Sequence, residues 1–180
     1  MYIDRTAVFR ASEGLFQAPI TEVLEVAAPQ PLTRNQIIGT MRVQLIAIKD
    51  FVPQQQMRIL TDACRSREPE EFAEIIARLH SIITSMPSIG GSDQQTAHLH
   101  YFYGRSDWYI TERDCVAHEP QYQARGFACL NGDGDMAESG YISIEELRTM
   151  RAGLTGIELD FHFKPQALAP IVAKIKGETP

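Results

Sequence analysis

Histidines at short spacing are the residues of this chain best suited to chemistry. His98 and His100 stand two positions apart in HLHYFYG, and His162 stands in IELDFHF. Because side chains alternate along a strand, His98 and His100 would share one face. If the two strands are neighbours, the three imidazoles could converge on zinc or another transition metal, with Glu112 as a further ligand. The alternative is that these histidines face solvent on the open side of a half-buried sheet.

The segment NGDGDMAESGYISIEEL has several features of a calcium-binding loop. With Gly140 at the sixth position of an EF-hand, Asp135 and Glu146 take the first and twelfth positions. The third position is an alanine, which has no ligand atom, and the preceding residues form turns rather than an entering helix. Ser143 and Glu146 instead have the spacing of a helix capping box. We therefore predict a turn followed by a capped helix, and no calcium site.

The three cysteines offer little for catalysis. Cys64 falls on the apolar face of a predicted helix and Cys129 lies inside a predicted strand, so both are expected to be packed. Cys115 has His118 nearby, but the neighbouring Asp114 would raise the pKa of the thiol. Their odd number and wide separation argue against a disulfide framework or a zinc–cysteine site, and favour a reducing cytoplasm.

Five aromatic residues fall within nine positions of a predicted hairpin, from Tyr101 to Tyr109. Alternation sends about half of these rings into the core. Trp108 and Tyr109, with Arg105 and Arg113 nearby, could form a surface for a protein partner. The same set could also stack the bases of a single-stranded nucleic acid.

The part of the chain before these candidate site residues is predicted to form the helices that position them. A capping-box spacing at Thr33 precedes an apolar run, and Pro53 and Pro69 stand where a proline begins a helix. The clearest amphipathic stripe of the chain runs over Phe72–Met86 and should stop near Pro87. We therefore expect three helices in the first half.

After a Gly- and Ser-containing linker, the hydrophobic period changes from helical to alternating. Strands are predicted for HLHYFYG, DWYITERD, YQARGFACL and IELDFHF. A helix is expected over Ser143–Met150, and a last short helix over PQALAPIVAKIK that Pro170 interrupts. The predicted class is α+β, with a small, mainly antiparallel sheet and one or two helices packed on it. A helical region would span residues 1–90 and an α+β domain residues 96–180, and the two could form one compact unit.

Length and charge limit the possible functions. The chain has 180 residues and a formal net charge of -6, and 44% of its residues are hydrophobic. A sequence-independent nucleic-acid binder needs a basic face, which this balance disfavours. No segment approaches the length of a membrane span, and the first residues lack a signal peptide's apolar run. We expect a cytoplasmic protein with no membrane partner.

Four short motifs occur in an order that resembles a known family. They are DWYITERD, GFACLNGD, ESGYISIEEL and GIELDFHFKP. The chain is similar, over about residues 99–168, to a poorly characterised family of small bacterial domains carried on plasmids, phages and integrated mobile elements. Ser139 departs from the leucine frequent in that family. The resemblance implies an accessory protein of a mobile element and a fold, but no reaction and no catalytic residues.

The leading functional hypothesis is a non-enzymatic interaction protein that acts on a host or element-encoded protein. One alternative is a metal-dependent enzyme that uses His98, His100 and His162. Another is a weak single-stranded nucleic-acid binder that uses the aromatic hairpin. No cofactor is predicted apart from the metal of the first alternative, and the N-terminal helices could pair with a second copy of the chain.

Overall fold

Three helices precede an antiparallel sheet, and a further helix follows it. The computed structural model describes residues 31–90, 95–114, 121–152 and 155–178. The helices within these ranges are α1 (Arg34–Ile48), α2 (Gln54–Ala63), α3 (Glu70–Ser85), α4 (Ile144–Thr149) and α5 (Leu168–Lys176). The strands are β1 (Thr96–Ala97), β2 (Leu99–Tyr103), β3 (Ser106–Arg113), β4 (Gln123–Cys129), β5 (Glu138–Ser143), β6 (Arg151–Ala152), β7 (Thr155–Gly156), β8 (Glu158–Leu159) and β9 (Gln166–Ala167).

The first three helices begin where the sequence predicts. The Thr33 hydroxyl accepts a hydrogen bond from the Gln36 backbone N–H, and the Gln36 side chain accepts one from the Thr33 N–H. This is a complete capping box. Pro53 and Pro69 occupy the N-cap positions of α2 and α3. Within the described residues, no helix has the length and apolar character needed to cross a membrane.

The main sheet has five strands in the order β5-β4-β3-β2-β8, and all of its neighbours are antiparallel. The β2–β3 hairpin turns at Gly104, whose φ of +59° lies in the left-handed region that favours glycine. The β3–β4 ladder changes register between Ile110 and Glu112, which is a β-bulge. The predicted α+β class, with helices first and a mainly antiparallel sheet after them, is confirmed.

Helices cover both faces of this sheet. On one face, α1–α4 pack with the buried strand residues Leu99, Tyr101 and Ile110 in the larger core. On the other face, a smaller core joins Phe127 and Cys129 of β4 to α5. The sheet therefore has two buried sides, and the polar residues between the strands and α5 lie in a partly enclosed space.

Two side chains connect the helical layer to the sheet by hydrogen bonds. The hydroxyl of Tyr101, fully buried in β2, donates to the Phe51 carbonyl oxygen at 2.5 Å. The Gln56 amide of α2 donates to the Leu159 carbonyl at 2.9 Å and accepts from the Leu159 N–H at 2.8 Å. Gln56 thus satisfies both backbone groups of Leu159, as a neighbouring strand would.

A third connection joins α3 to the sheet. The Arg113 guanidinium donates to the Thr84 and Met86 carbonyl oxygens at the C-terminal end of α3. Carbonyl groups in the last helical turn have no partner within the helix, so a cation there is favourable.

The last predicted strand is much shorter than its alternating sequence suggests. Only Glu158 and Leu159 of IELDFHF pair with β2. Asp160 then accepts a hydrogen bond from the His162 N–H through its carboxylate, and its carbonyl accepts from the Phe163 N–H. This side chain turns the backbone before the alternation can continue as a strand.

The predicted interruption of the last helix at Pro170 is wrong. Pro170 lies in the first turn of α5, where a backbone N–H would have no partner within the helix. The helix continues to Lys176 and ends at Gly177, which adopts the left-handed conformation of a C-cap.

Both ends of α5 are attached to the sheet domain. At its start, β9 pairs with β1, and the Leu168 N–H donates to the Gln95 carbonyl. At its end, Gly134 lies so close to the Ile175 carbonyl oxygen that a side chain at this position would clash. The acidic turn that contains Gly134 is therefore seated against the end of α5.

We predict that Tyr101→Phe lowers the free energy of unfolding by about 1–3 kcal/mol, because it leaves the buried Phe51 carbonyl without a donor. Urea unfolding followed by circular dichroism measures this change. Tyr141→Phe is the matched control, since Tyr141 is 69% exposed and should change stability by less than about 0.5 kcal/mol. Equal stability of the two variants would contradict the role given to the Tyr101 hydroxyl.

Candidate functional site

His100 lies between two carboxylates on the sheet face that α5 covers. Its Nε2 atom is 2.8 Å from Asp107 Oδ1, and its Nδ1 atom is 3.6 Å from Asp160 Oδ2. Asp107 is brought there by the β2–β3 hairpin. Asp160 follows β8, and its N–H bonds to the His100 carbonyl at 2.8 Å. The imidazole is thus hydrogen-bonded to Asp107 on one side, with the Asp160 carboxylate near its other nitrogen.

Aromatic rings surround this imidazole. Tyr109 stacks on His100 with ring centroids 4.5 Å apart and an interplanar angle of 6°, while Phe102 and Phe163 contact it at tilted angles. Burial, with the nearby charge of Asp107, raises the pKa of Tyr109 to about 12. The Tyr109 phenol therefore stays protonated and neutral at physiological pH.

A cleft of about 530 Å³ opens between this cluster and α5. Its lining combines polar groups with an apolar wall contributed by α5: His100, Asp107, Tyr109, Phe163, Gln166, Pro170, Ile171, Lys174 and Ile175. The cleft carries charges of both signs, from Asp107 and Lys174, beside stacked rings.

The structure does not bring the three predicted histidine ligands together. β2 and β8 are neighbours as required, but β8 ends before His162, which is exposed in the following turn. Asp160 takes the position beside His100 instead. Among the described residues, no three His, Cys, Asp or Glu side chains form a group that could hold a metal ion. The carboxylates of Asp107 and Asp160 face different ring nitrogens, which point to opposite sides of an imidazole.

His98 and Glu112 have structural surroundings of their own. His98 follows β1, and its N–H donates to the Ile110 carbonyl at 2.7 Å. Burial lowers the pKa of His98 below its usual 6.5. Glu112 is buried, and its Oε2 accepts a hydrogen bond from the Gly90 N–H at 3.1 Å. Glu112 thus holds the chain after α3 rather than joining a metal site.

The four residues predicted as a partner surface are divided among different surroundings. Trp108 packs against the larger core and Tyr109 against the smaller one, on opposite faces of the sheet. Arg113 is held by the end of α3. Arg105 is exposed and lies against Gly132. They therefore do not form one continuous surface for a protein or for stacked bases.

Two cysteines are free and buried, as their positions predict. Cys64 Sγ contacts the Leu60 carbonyl oxygen at 3.7 Å within α2. Burial raises the pKa of the Cys129 thiol, and the charge of Asp107 acts in the same direction. Neither thiol has the surroundings of an activated nucleophile. Cys115 lies outside the described residues.

A surface that the sequence reasoning missed lies on α1. Its inner face buries Met41, Leu45 and Ile48, yet Val43 and Ile46 on the outer face are each 68% exposed. The sequence signal was that apolar residues occur on all sides of this helix. A search for one apolar stripe does not use the apolar residues that lie outside that stripe.

The outer face of α1 is continuous with a groove of about 380 Å³ between α1 and α2. We call it the α1–α2 groove; its lining residues are Arg42, Leu45, Ile46, Lys49, Met57, Thr61, Cys64 and Arg65. A second groove of about 240 Å³ lies between α1 and α3. The outer face of α1 therefore has a concave surface on each side.

No known protein-family model matches this chain, and no curated protein or solved structure is significantly similar to it. The motif resemblance over residues 99–168 therefore stays a prediction. Its four motifs supply β3, the β4–β5 connection, the start of α4 and the segment around β8.

We predict that His98 makes stability fall as the solution becomes acidic. Well above pH 6.5, His98 is neutral in both states and contributes no pH dependence. Below pH 6.5, the unfolded chain binds the proton more readily than the folded chain does, because the folded pKa is lowered. The free energy of unfolding should therefore decrease more between pH 7.5 and pH 5.5 in the wild type than in His98→Gln.

Urea unfolding at the two pH values tests this difference. His162→Gln is the matched control, since His162 is exposed and its replacement should leave the acid-side decrease intact. If His98→Gln and the wild type lose the same stability on acidification, the role given to His98 is wrong.

Proposed function

We propose that this protein is a protein-interaction module that binds its partner through the outer face of α1 and the α1–α2 groove. The observation that carries the proposal is the exposure of Val43 and Ile46 on a helix whose opposite face is fully buried. Single exposed aliphatic residues are common on protein surfaces. Two of them on one helical face, next to an apolar groove, are typical of a binding surface.

The groove supports a helix-in-groove mode of binding. Leu45, Ile46 and Met57 give it an apolar floor, and the flexible Met57 side chain can adapt to a partner. Covering the Ile46 side chain would contribute about 1.5–3 kcal/mol to association. Because α1 is held in place by its inner face, the partner would meet a preformed surface.

The rival functions have weaker support. A metal-dependent enzyme using His98, His100 and His162 would need a convergent ligand set, and the described residues contain none. A single-stranded nucleic-acid binder would need its rings on one surface, whereas Trp108 and Tyr109 pack on opposite faces of the sheet.

The cellular setting is part of the same proposal. The motif resemblance over residues 99–168 supports an accessory protein of a mobile element that acts on a host or element-encoded protein. Free Cys64 and Cys129 are compatible with a reducing cytoplasm. The partner itself would then be a cytoplasmic protein.

We predict that Ile46→Asn weakens capture of the partner by about 10- to 100-fold, because it removes an apolar side chain that the complex buries. The full-length protein is used as bait in extracts of a bacterial host, and captured proteins are quantified by mass spectrometry. The strongest captured protein is then purified, and its affinity for each variant is measured by calorimetry. Met136→Asn is the matched control, since Met136 is 77% exposed on a different part of the surface.

The wild type and Met136→Asn should bind one protein at near-stoichiometric levels, and thermal melting should show that Ile46→Asn remains folded. Equal affinity of the purified partner for Ile46→Asn and Met136→Asn would rule out this surface. Absence of any near-stoichiometric protein would count against an interaction module. Zinc in tag-free protein, lost on His100→Asn, would favour the enzymatic alternative.

A further inference from the structure

The charge around the α1–α2 groove is opposite to that of the whole chain. Residues 32–61 contain four basic residues and one acidic residue, a net charge of +3, in a chain with a net charge of -6. The basic residues are Arg34, Arg42, Lys49 and Arg58. The segment that forms α1 and most of α2 is thus a local positive region on an acidic protein.

Several charges near the groove already have partners. Asp50, the one acidic residue of this segment, lies 3.7 Å from the Arg148 guanidinium. Arg34 donates to the Ser66 carbonyl. Arg65, on the groove, forms an exposed pair with Asp62 at 3.1 Å. Such a pair is weak in water and can exchange partners easily.

Arg42 and Lys49 are two further cations at the groove. Neither has a carboxylate within ion-pair distance among the described residues. Lys49, the C-cap residue of α1, stands seven residues after Arg42, which places the two about two turns, or about 10.5 Å, apart along one side of the helix. The apolar side chains of Leu45 and Ile46 lie between them.

The shape of the groove limits what can occupy it. A concave, mainly aliphatic trough between two helices fits the apolar face of another helix. None of the described residues that line it is aromatic, so these residues offer no stacking platform for nucleic-acid bases. A flat lipid surface would contact the outer face of α1 but could not fill the concave α1–α2 groove beside it.

From this combination we infer that the partner presents an amphipathic helix with acidic residues flanking its apolar face. This inference rests on the proposed function and names the chemistry of the segment that is bound. The apolar residues of the partner helix lie on Leu45, Ile46 and Met57. Its carboxylates pair with Arg42 and Lys49 at the rim, where they gain more from attraction than they lose in hydration.

A selection from a displayed library of random peptides, each about four helical turns long, tests the inference without knowledge of the partner. The full-length protein is the target. Enriched peptides should carry aliphatic residues at helical spacing with Asp or Glu beside them. Their affinity is measured by fluorescence anisotropy against the wild type and three variants.

The charge-reversed variant Arg42→Glu/Lys49→Glu should bind the enriched peptides about tenfold more weakly or worse. Ile46→Asn should also weaken binding, through the lost apolar contact. Lys164→Glu is the matched control, because it reverses an exposed charge outside the groove and should bind as the wild type does. Raising salt from about 0.1 M to about 1 M should weaken wild-type binding, because the Debye length falls from about 10 Å to about 3 Å.

The outcomes separate this inference from the proposed function. Enriched peptides that are uncharged or basic, and whose binding is lost in Ile46→Asn, would overturn the acidic partner and leave the interaction surface intact. Peptides that bind Ile46→Asn as well as the wild type, or no enrichment, would overturn both.

Two other occupants of the groove are tested in parallel. Light scattering that shows a dimer dissociated by Ile46→Asn would assign the groove to a second copy of this chain. Binding to phosphatidylcholine–phosphatidylglycerol vesicles, lost in Arg42→Glu/Lys49→Glu, would assign it to a lipid surface. Either result would overturn the inference, whereas a monomer that leaves such vesicles unbound supports it.

Discussion

The buried hydroxyl of Tyr101 sets the relation between the helices and the sheet. A fully buried phenol needs a hydrogen-bond acceptor, and the one supplied is the Phe51 carbonyl in the connection between α1 and α2. This hydrogen bond holds the connection between α1 and α2 over the middle of β2. From there, Gln56 reaches the backbone of Leu159, so the short strand β8 is held both by its neighbour and by a helix. The α1–α2 groove and the site around His100 both depend on this arrangement.

The two candidate surfaces lie on opposite sides of the sheet and differ in kind. The cleft beside His100 combines polar side chains and aromatic rings with an apolar wall from α5. The α1–α2 groove is aliphatic and open, with cations at its rim. Because the sheet separates them, a ligand of one surface would not contact a ligand of the other.

Much of the fold could be predicted because local signals and tertiary packing agree. The capping box at Thr33, the prolines that begin α2 and α3 and the glycine turn of the β2–β3 hairpin are local signals that the structure keeps. The site could not be predicted in the same way. Alternation predicted His162 beside His100, but the Asp160 carboxylate accepts a hydrogen bond from the His162 N–H and turns the chain before the strand can continue. The exposed face of α1 was missed because periodicity identifies a buried stripe only when the opposite face is polar.

The contact between Gly134 and the end of α5 links a distant turn to the cleft. The start of α5 is joined to β1 through the β1–β9 pair, and the end of α5 contacts the backbone at Gly134. Main-chain contacts as well as side-chain packing therefore set the distance between α5 and the sheet. A side chain at position 134 would clash with the Ile175 carbonyl oxygen, so either the turn or the C-terminal end of α5 would have to shift. Because Ile175 also lines the cleft beside His100, the glycine at position 134 lets a turn outside the cleft pack closely against one of its walls.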